Sequence, residues 1–293
     1  MITTVLILIG VALVLKALFN RRRGHGISIL VPFLCPDETN QRAKNWAWLK
    51  KYWAAQLPGA EIIMGEDRVA MNDPSIPFSK SAAVNDAASK AKGDVFVVVD
   101  ADGYVPPEAL LHCADKIREA KKKQRKLWFV PYREFYRLTE KAATRVLESD
   151  PKKPHQFAKL EAGDIQNTQG SQHGHWYGAM VQIMPREAFE AVGGWDERFR
   201  GWGGEDHSAV QAMDTLYGRH KTAPFRVLHL WHPMLSTTQS AAWVEWKNRV
   251  WANQEKAGTN TKLAGRYYSA FGDAKRMRKL LDEGLKSGGE KRG

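Results

Sequence analysis

Cysteine is scarce. The 293 residues hold two, Cys35 and Cys113, which cannot form a disulfide framework. A small stapled secreted fold is excluded, and a reducing compartment is permitted. Acidic residues are outnumbered: 32 Asp and Glu face 44 Lys and Arg, for a formal net charge of +12. That balance points to phosphate-bearing partners, whether nucleotide, nucleic acid or anionic membrane. Glycine-rich phosphate cradles are missing. No G-x-G-x-x-G follows the first strand-like run, and no G-x-x-x-x-G-K-[ST] occurs. The dinucleotide and P-loop readings therefore lack their phosphate-binding backbone. RRM, KH and zinc-finger spacings are absent as well. With 43% hydrophobic and 26% charged residues, the chain is not a disordered one. The 11 tryptophans can fill a core or stack on sugars and bases; composition does not decide between them.

One long apolar run stands out. Residues 2–19 read ITTVLILIGVALVLKALF, with Lys16 the single charge. As a helix this stretch spans about 27 Å, close to the roughly 30 Å hydrocarbon core of a bilayer. Arg21, Arg22 and Arg23 follow it, and no basic residue precedes it. The positive-inside rule then places the rest of the chain in the cytoplasm. The expectation is a single-pass membrane protein, with a transmembrane helix over residues 2–19 and residues 1–23 forming the anchor with its basic flank.

Beyond it, strand and helix patterns alternate. Apolar runs at 27–33, 61–64, 94–99 and 127–130 read as strands, and 40–57, 79–92 and 107–126 as helices. The order predicts an α/β fold with a mostly parallel sheet and helices on both faces. Residues 150–176 lose all periodicity and read as a long functional loop. A strand at 177–184, a helix at 186–191, a strand at 225–231 and a helix at 240–255 follow. The tail from residue 275 is basic, with a glycine-rich and frayed end.

Ligands of open α/β sheets bind at the carboxyl ends of the strands. The run VFVVVDADGYVP sets Asp100 and Asp102 at such an end. Side chains at i and i+2 of an extended segment point the same way. The pair makes a hard oxygen site suited to Mn²⁺ or Mg²⁺ and a diphosphate, although Asp-x-Asp also occurs in plain solvated turns. The segment VGGWDERFRGWGGEDHS is the second informative stretch. Its glycines allow close approach to a ligand, and Trp195 and Trp202 offer flat faces. Glu205 and Asp206 follow at a helix start. That position suits a capping carboxylate and equally a base for a sugar hydroxyl.

Taken in order, these motifs resemble the GT-A-fold glycosyltransferases of the family-2 type. The C-terminal segment is similar to that of β-1,4-galactosyltransferases and polypeptide N-acetylgalactosaminyltransferases. The matches are Val31-Pro32-Phe33, Glu66-Asp67, Phe78-Ser79-Lys80 with Asn85, Val99-Asp100-Ala101-Asp102 with Pro106, and Gly201-Trp202-Gly203-Gly204-Glu205-Asp206. The resemblance covers roughly residues 27–235. It implies a Rossmann-like catalytic domain at 24–258, followed by a basic helical tail at 259–293. It implies a UDP-sugar donor held by Pro32, Phe33, Asp67, Phe78, Lys80, Asp100, Asp102, Trp202 and Gly204. Arg42 is the nearest basic candidate where galactosyltransferases place arginines after the first strand. Asp102 is the implied main metal ligand, with Asp100 nearer the ribose. A histidine from a later strand completes the site, His229 as the better match and His232 as the alternative, although HLWH also reads as two ordinary histidines at a strand end. Tyr177, Trp202, Glu205 and Asp206 are the implied acceptor contacts, with Asp206 the favoured base and Glu205 beside it. The acceptor is a glycan, protein or lipid hydroxyl, and inversion follows the galactosyltransferase match. The motif departs from those enzymes at His207, where they continue with aspartates. The charge flanks of the apolar run suit a bacterial or phage-encoded enzyme using cytoplasmic nucleotide sugars.

Two rivals stand beside this. One is a membrane-tethered nucleic-acid-binding protein, drawn from the net charge and the KIREAKKKQRK run. The other is an inactive GT-A domain serving as a sugar-binding scaffold. The motifs favour the enzyme, with no nucleic acid expected.

Overall fold

β1 (Ile27–Pro32) is buried along its whole length, which explains its unbroken apolar run. It lies between two parallel neighbours. One is β2 (Glu61–Gly65), in register Ile29↔Ile62, and the other is β3 (Val95–Val99), in register Ile29↔Val97. The computed structural model describes residues 23–34, 38–73, 75–155, 160–170, 180–201, 203–233 and 260–289.

The crossovers carry helices, as parallel pairing requires. α1 (Gln41–Gln56) starts at Asn40, whose side chain accepts from the Arg42 N–H, and buries Trp46, Trp48, Leu49, Tyr52 and Trp53. After the short α2 (Arg68–Asn72), α3 (Lys80–Lys90) packs a small-residue face of Ala83, Val84 and Ala87 on the sheet. The approach is close because residue 65 is glycine. A Cβ there would stand 1.8 Å from the Ala83 carbonyl oxygen. α4 (Pro107–Lys122) follows β3.

The main sheet continues past β3 to β8 (Val181–Pro185), β5 (Phe129–Val130) and β9 (Lys221–Thr222), in the order β2-β1-β3-β8-β5-β9. β8 runs antiparallel to both neighbours. The sheet is therefore mixed, and β5 does not pair with β3. Every residue of β8 is buried, and apolarity alone does not encode a strand's direction. A second sheet, β4-β10-β6-β7, joins β4 (Gly103–Tyr104), β10 (Val227–His229), β6 (Glu134–Leu138) and β7 (Ile165–Gly170).

β7 corrects the loop expected at 150–176. Its sequence, IQNTQG, is polar on both faces because the strand lies at the sheet edge, so it shows no apolar alternation. α4 ends at Lys122, earlier than expected, where the chain turns through Gln124 at φ 52°. α5 (Glu140–Glu148) packs near α1, and α6 (Arg186–Ala191) follows β8.

α7 (Glu205–Leu216) opens the acidic segment. Two helices, α8 (Asn260–Ala270) and α9 (Ala274–Gly289), pack on it and on each other. In the basic tail, Met277, Leu280 and Leu281 are buried, and the glycine-rich end at 290–293 lies outside the described residues. Among the described residues no helix is long and apolar enough to cross a membrane. The apolar run at 2–19, and the helix expected at 240–255, lie outside the described residues.

Candidate active site

β3 stops at Val99, and the Asp100 N–H donates to the Met180 carbonyl at 2.9 Å. A tight turn closed by Gly103 N–H to Asp100 O, also 2.9 Å, leads into β4. β4 pairs antiparallel with β10 in register Gly103↔His229. The Leu230 N–H donates to the Asp102 carbonyl at 2.8 Å. This pairing brings His229 and His232, well over a hundred residues on, against Asp102.

The Asp102 carboxylate is buried between them. His229 Nε2 lies 3.5 Å from Oδ1, and His232 Nε2 lies 3.3 Å from Oδ2. One ligand atom from each of the three residues falls within 4.8 Å of the others. An octahedral ion held at about 2.1 Å sets adjacent ligand atoms about 3 Å apart, so the spacing fits a divalent cation. Asp102 Oδ1 is buried without a hydrogen-bond partner, as a ligand oxygen would be. Pro233 O sits 3.0 Å from His232 Nδ1, which fixes that nitrogen as the donor there and turns Nε2 toward Asp102. Burial pushes His229 down to about 4, the strongest influence on it, so its ring is neutral near pH 7. Burial opposes charge on Asp102, yet His229, His232 and Arg42 outweigh it and hold the carboxyl far below the usual range. The two imidazoles also accept from guanidinium groups. Arg137 Nη1 is 3.1 Å from His229 Nε2, and Arg42 Nη2 is 3.1 Å from His232 Nε2.

Lys80 joins this centre to the acidic helix. It opens α3, where Ser79 caps the helix by accepting from the Ala82 N–H and donates to the Phe199 carbonyl at 2.7 Å. Its Nζ lies 2.5 Å from Asp100 Oδ1 and 2.8 Å from Asp206 Oδ1. Burial works against the ammonium, but Asp100, Asp206 and Glu205 hold it protonated. Burial pushes Asp206 up to about 8. Lys80 pulls the other way, and Glu205 and Asp100 reinforce the rise. Glu205 Oε2 is buried with no hydrogen-bond partner.

The glycines before α7 have a conformational reason. Gly204, its N-cap, has φ 94°, and a Cβ there would meet the Phe199 ring at 3.1 Å and Ala264 at 3.2 Å. Asn85 fixes the segment upstream. Its Oδ1 accepts from the Trp195 N–H, and its Nδ2 donates to the Trp195 carbonyl, each at 2.8 Å.

Other expected residues sit differently. Asp67 is 1% exposed and already accepts from the Val69 N–H, the Ser79 N–H and Arg200 Nη1. Its carboxylate ties the start of α3 to the loop before Gly201, whose N–H donates to the Phe78 carbonyl. Pro32 ends β1 beside Gly65, and Phe33 packs on Trp46 with ring centroids 6.2 Å apart. Arg42 is at the histidine pair. Trp202 and Tyr177 lie outside the described residues. Arg137, Arg200 and Gln182, which donates to the Asp206 carbonyl at 3.3 Å, were not legible from any motif. Arg137 reaches the site because β6 and β10 pair in register Arg137↔His229.

A family model described as glycosyltransferase like family 2 matches residues 61–232, more than half of the chain. The chain belongs to this family. Its architecture is the mixed α/β one described above, of the GT-A type. Similar solved structures include the Drosophila β-1,4-galactosyltransferase 7 catalytic domain with xylobiose (15% identity, 69% of this chain and 64% of that one, TM-score 0.34). They also include a Pyrobaculum calidifontis mannosyltransferase with GDP-mannose and Mn²⁺ (13% identity, 92% and 77%, TM-score 0.42). A third is GalNAc-T7 with UDP, GalNAc and Mn²⁺ (14% identity, 88% and 54%, TM-score 0.42). This glycosyltransferase spans less than two thirds of the length of that galactosyltransferase. No curated protein matches it.

Proposed function

We propose that this glycosyltransferase moves galactose or an N-acetylhexosamine from a UDP-sugar to an acceptor hydroxyl, with inversion, and that Asp206 is the general base. The observation that carries this is the Lys80 bridge. It places a buried carboxylate of raised proton affinity one ammonium away from the Asp100–Asp102 turn.

Asp102, His229 and His232 would hold the divalent cation, Mn²⁺ or Mg²⁺, with Asp100 beside the donor ribose. Bound there, the cation supplies positive charge to offset what develops on the departing diphosphate. Arg42 and Arg137 flank the same position and add donors toward phosphate oxygens. Asp206 accepts the proton of the acceptor hydroxyl as its oxygen bonds to the anomeric carbon. The bond from that carbon to the diphosphate oxygen breaks, and UDP leaves with the electron pair. Attack from the face opposite the leaving group inverts the configuration. Lys80 keeps Asp206 aligned and offsets its charge. Glu205 contacts the acceptor, Trp202 and Tyr177 are the further acceptor contacts that the family resemblance implies, and a glycan, protein or lipid acceptor all present the required hydroxyl. The apolar run at 2–19 serves as a single-pass anchor that leaves the catalytic domain, residues 24–258, in the cytoplasm.

The test is UDP release from a panel of UDP-sugars by the full chain with Mn²⁺. Cation-dependent release from at least one galactose- or N-acetylhexosamine-type donor is the expected result. No release from any of them, with no UDP binding by calorimetry, would overturn the reading.

A further inference from the structure

α8 and α9 form a hairpin whose inner side is buried through Leu263, Tyr267, Met277 and Leu281. Across residues 260–289 there are seven basic side chains against three acidic ones. Between the helices opens a cleft of about 450 Å³ with Lys262, Arg266, Arg276 and Lys279 on its walls. The one acid lining it, Glu283, is paired with Arg266 at 2.5 Å. Its floor includes Ala270 and Leu280. At the end of α8 and the turn that follows, two aromatic rings face solvent: Tyr268 is 64% and Phe271 43% exposed. Gly272, at φ 80°, completes that turn with nothing near its missing Cβ.

Folding alone does not call for two exposed rings close together beside a basic cleft. A bilayer interface has a use for each part. Lys and Arg meet anionic headgroups, their methylene stems lie over apolar surface, and aromatic rings settle at headgroup depth. We propose that the outer face of the α8–α9 hairpin docks on an anionic phospholipid surface, with a headgroup phosphate in the cleft and Tyr268 and Phe271 in the interface. Charge complementarity selects this occupant, and the rings at the turn select lipid over a soluble anion. The inference is independent of the proposed chemistry and of the apolar run at 2–19.

The full chain tests it. Ser269 lines the cleft, and among the described residues its side chain bonds to its own helix, at Gly265 O. A Ser269→Cys variant in a Cys35→Ser background takes a nitroxide label there. Cys113 is buried, and burial pushes its thiol up to about 12, so it stays unlabelled. Collision of the label with a water-soluble nickel chelate is read on phosphatidylcholine vesicles with and without phosphatidylglycerol. The expected result is loss of nickel access only when phosphatidylglycerol is present, recovery in molar salt, and no loss after Arg276→Glu with Lys279→Glu. The melting curve of that double variant stays unchanged. Equal nickel access on both vesicles would overturn the proposal, as would equal loss on both. Protection by inorganic phosphate or single-stranded RNA alone would do the same, and would reassign the face to a soluble anion or to nucleic acid.

Discussion

Lys80 sets the electrostatics of the site, because one buried ammonium touches both Asp100 and Asp206. Removing it leaves Asp206 among Glu205 and Asp100 with no cation to offset them. The pH profile of kcat/KM reports the free enzyme's base. With Asp206 at about 8, the ionised base is the minor form near pH 7, so kcat/KM climbs with pH and levels off above about 8. Lys80→Met moves that limb to higher pH, by about 1 unit or more, and lowers kcat/KM at pH 7 by about ten-fold. A profile unmoved by the substitution contradicts the assignment. At the other centre, His229→Ala and His232→Ala should each weaken Mn²⁺ binding by about ten-fold or more, read from the free-ion paramagnetic resonance signal. If one of the two leaves the titration unchanged, that histidine is not a ligand. Lys80, Asp100, Asp102 and Asp206 were legible because each stands in a short motif with a chemical reason. Arg137 was not. It is one of 44 basic residues, and only its strand register brings it to His229.

Short elements carry the long-range placement. β4 and β10 have two and three residues, yet their pairing brings the histidines to Asp102. Strands this short show no periodicity, so the sequence favoured His229 with His232 as the alternative, and did not bring the two together. The structure joins both to Asp102. Hydrophobic runs revealed β1 and β3 because burial on both faces writes a continuous apolar signal. β7 stayed hidden at an edge where polar side chains serve as well. Two glycines set element packing. Gly65→Ala forces α3 off β2 and should cost about 1–3 kcal/mol or more, seen as a lower denaturant midpoint at unchanged m. Gly204→Ala is strained at φ 94° and crowds Phe199 and Ala264. It should lower stability by about 1–3 kcal/mol and impair turnover as well, because Asp206 follows two residues later. Wild-type midpoints in both variants would show that the backbone has room to spare.

On the scale of the whole molecule, the charge of +12 divides by place. Arg42, Lys80 and Arg137 are drawn into the site, Arg200 secures Asp67, and the outer side of α8 and α9 carries an unmatched share. The alternating pattern foretold an α/β sheet, whereas the second sheet and the reversed β8 depend on pairings between distant segments. The tail has few apolar residues, and Met277, Leu280 and Leu281 are buried. They are enough to seat a helix on α7, the element that presents Asp206. The account therefore rests most on one carboxylate. Its most direct test is the rate of UDP release by Asp206→Asn beside the wild type, with the donor that the wild type uses. The asparagine cannot take the acceptor proton, so the rate should fall by about 100-fold or more while UDP and Mn²⁺ still bind. A rate within a few-fold of wild type, at unchanged binding, would contradict Asp206 as the base.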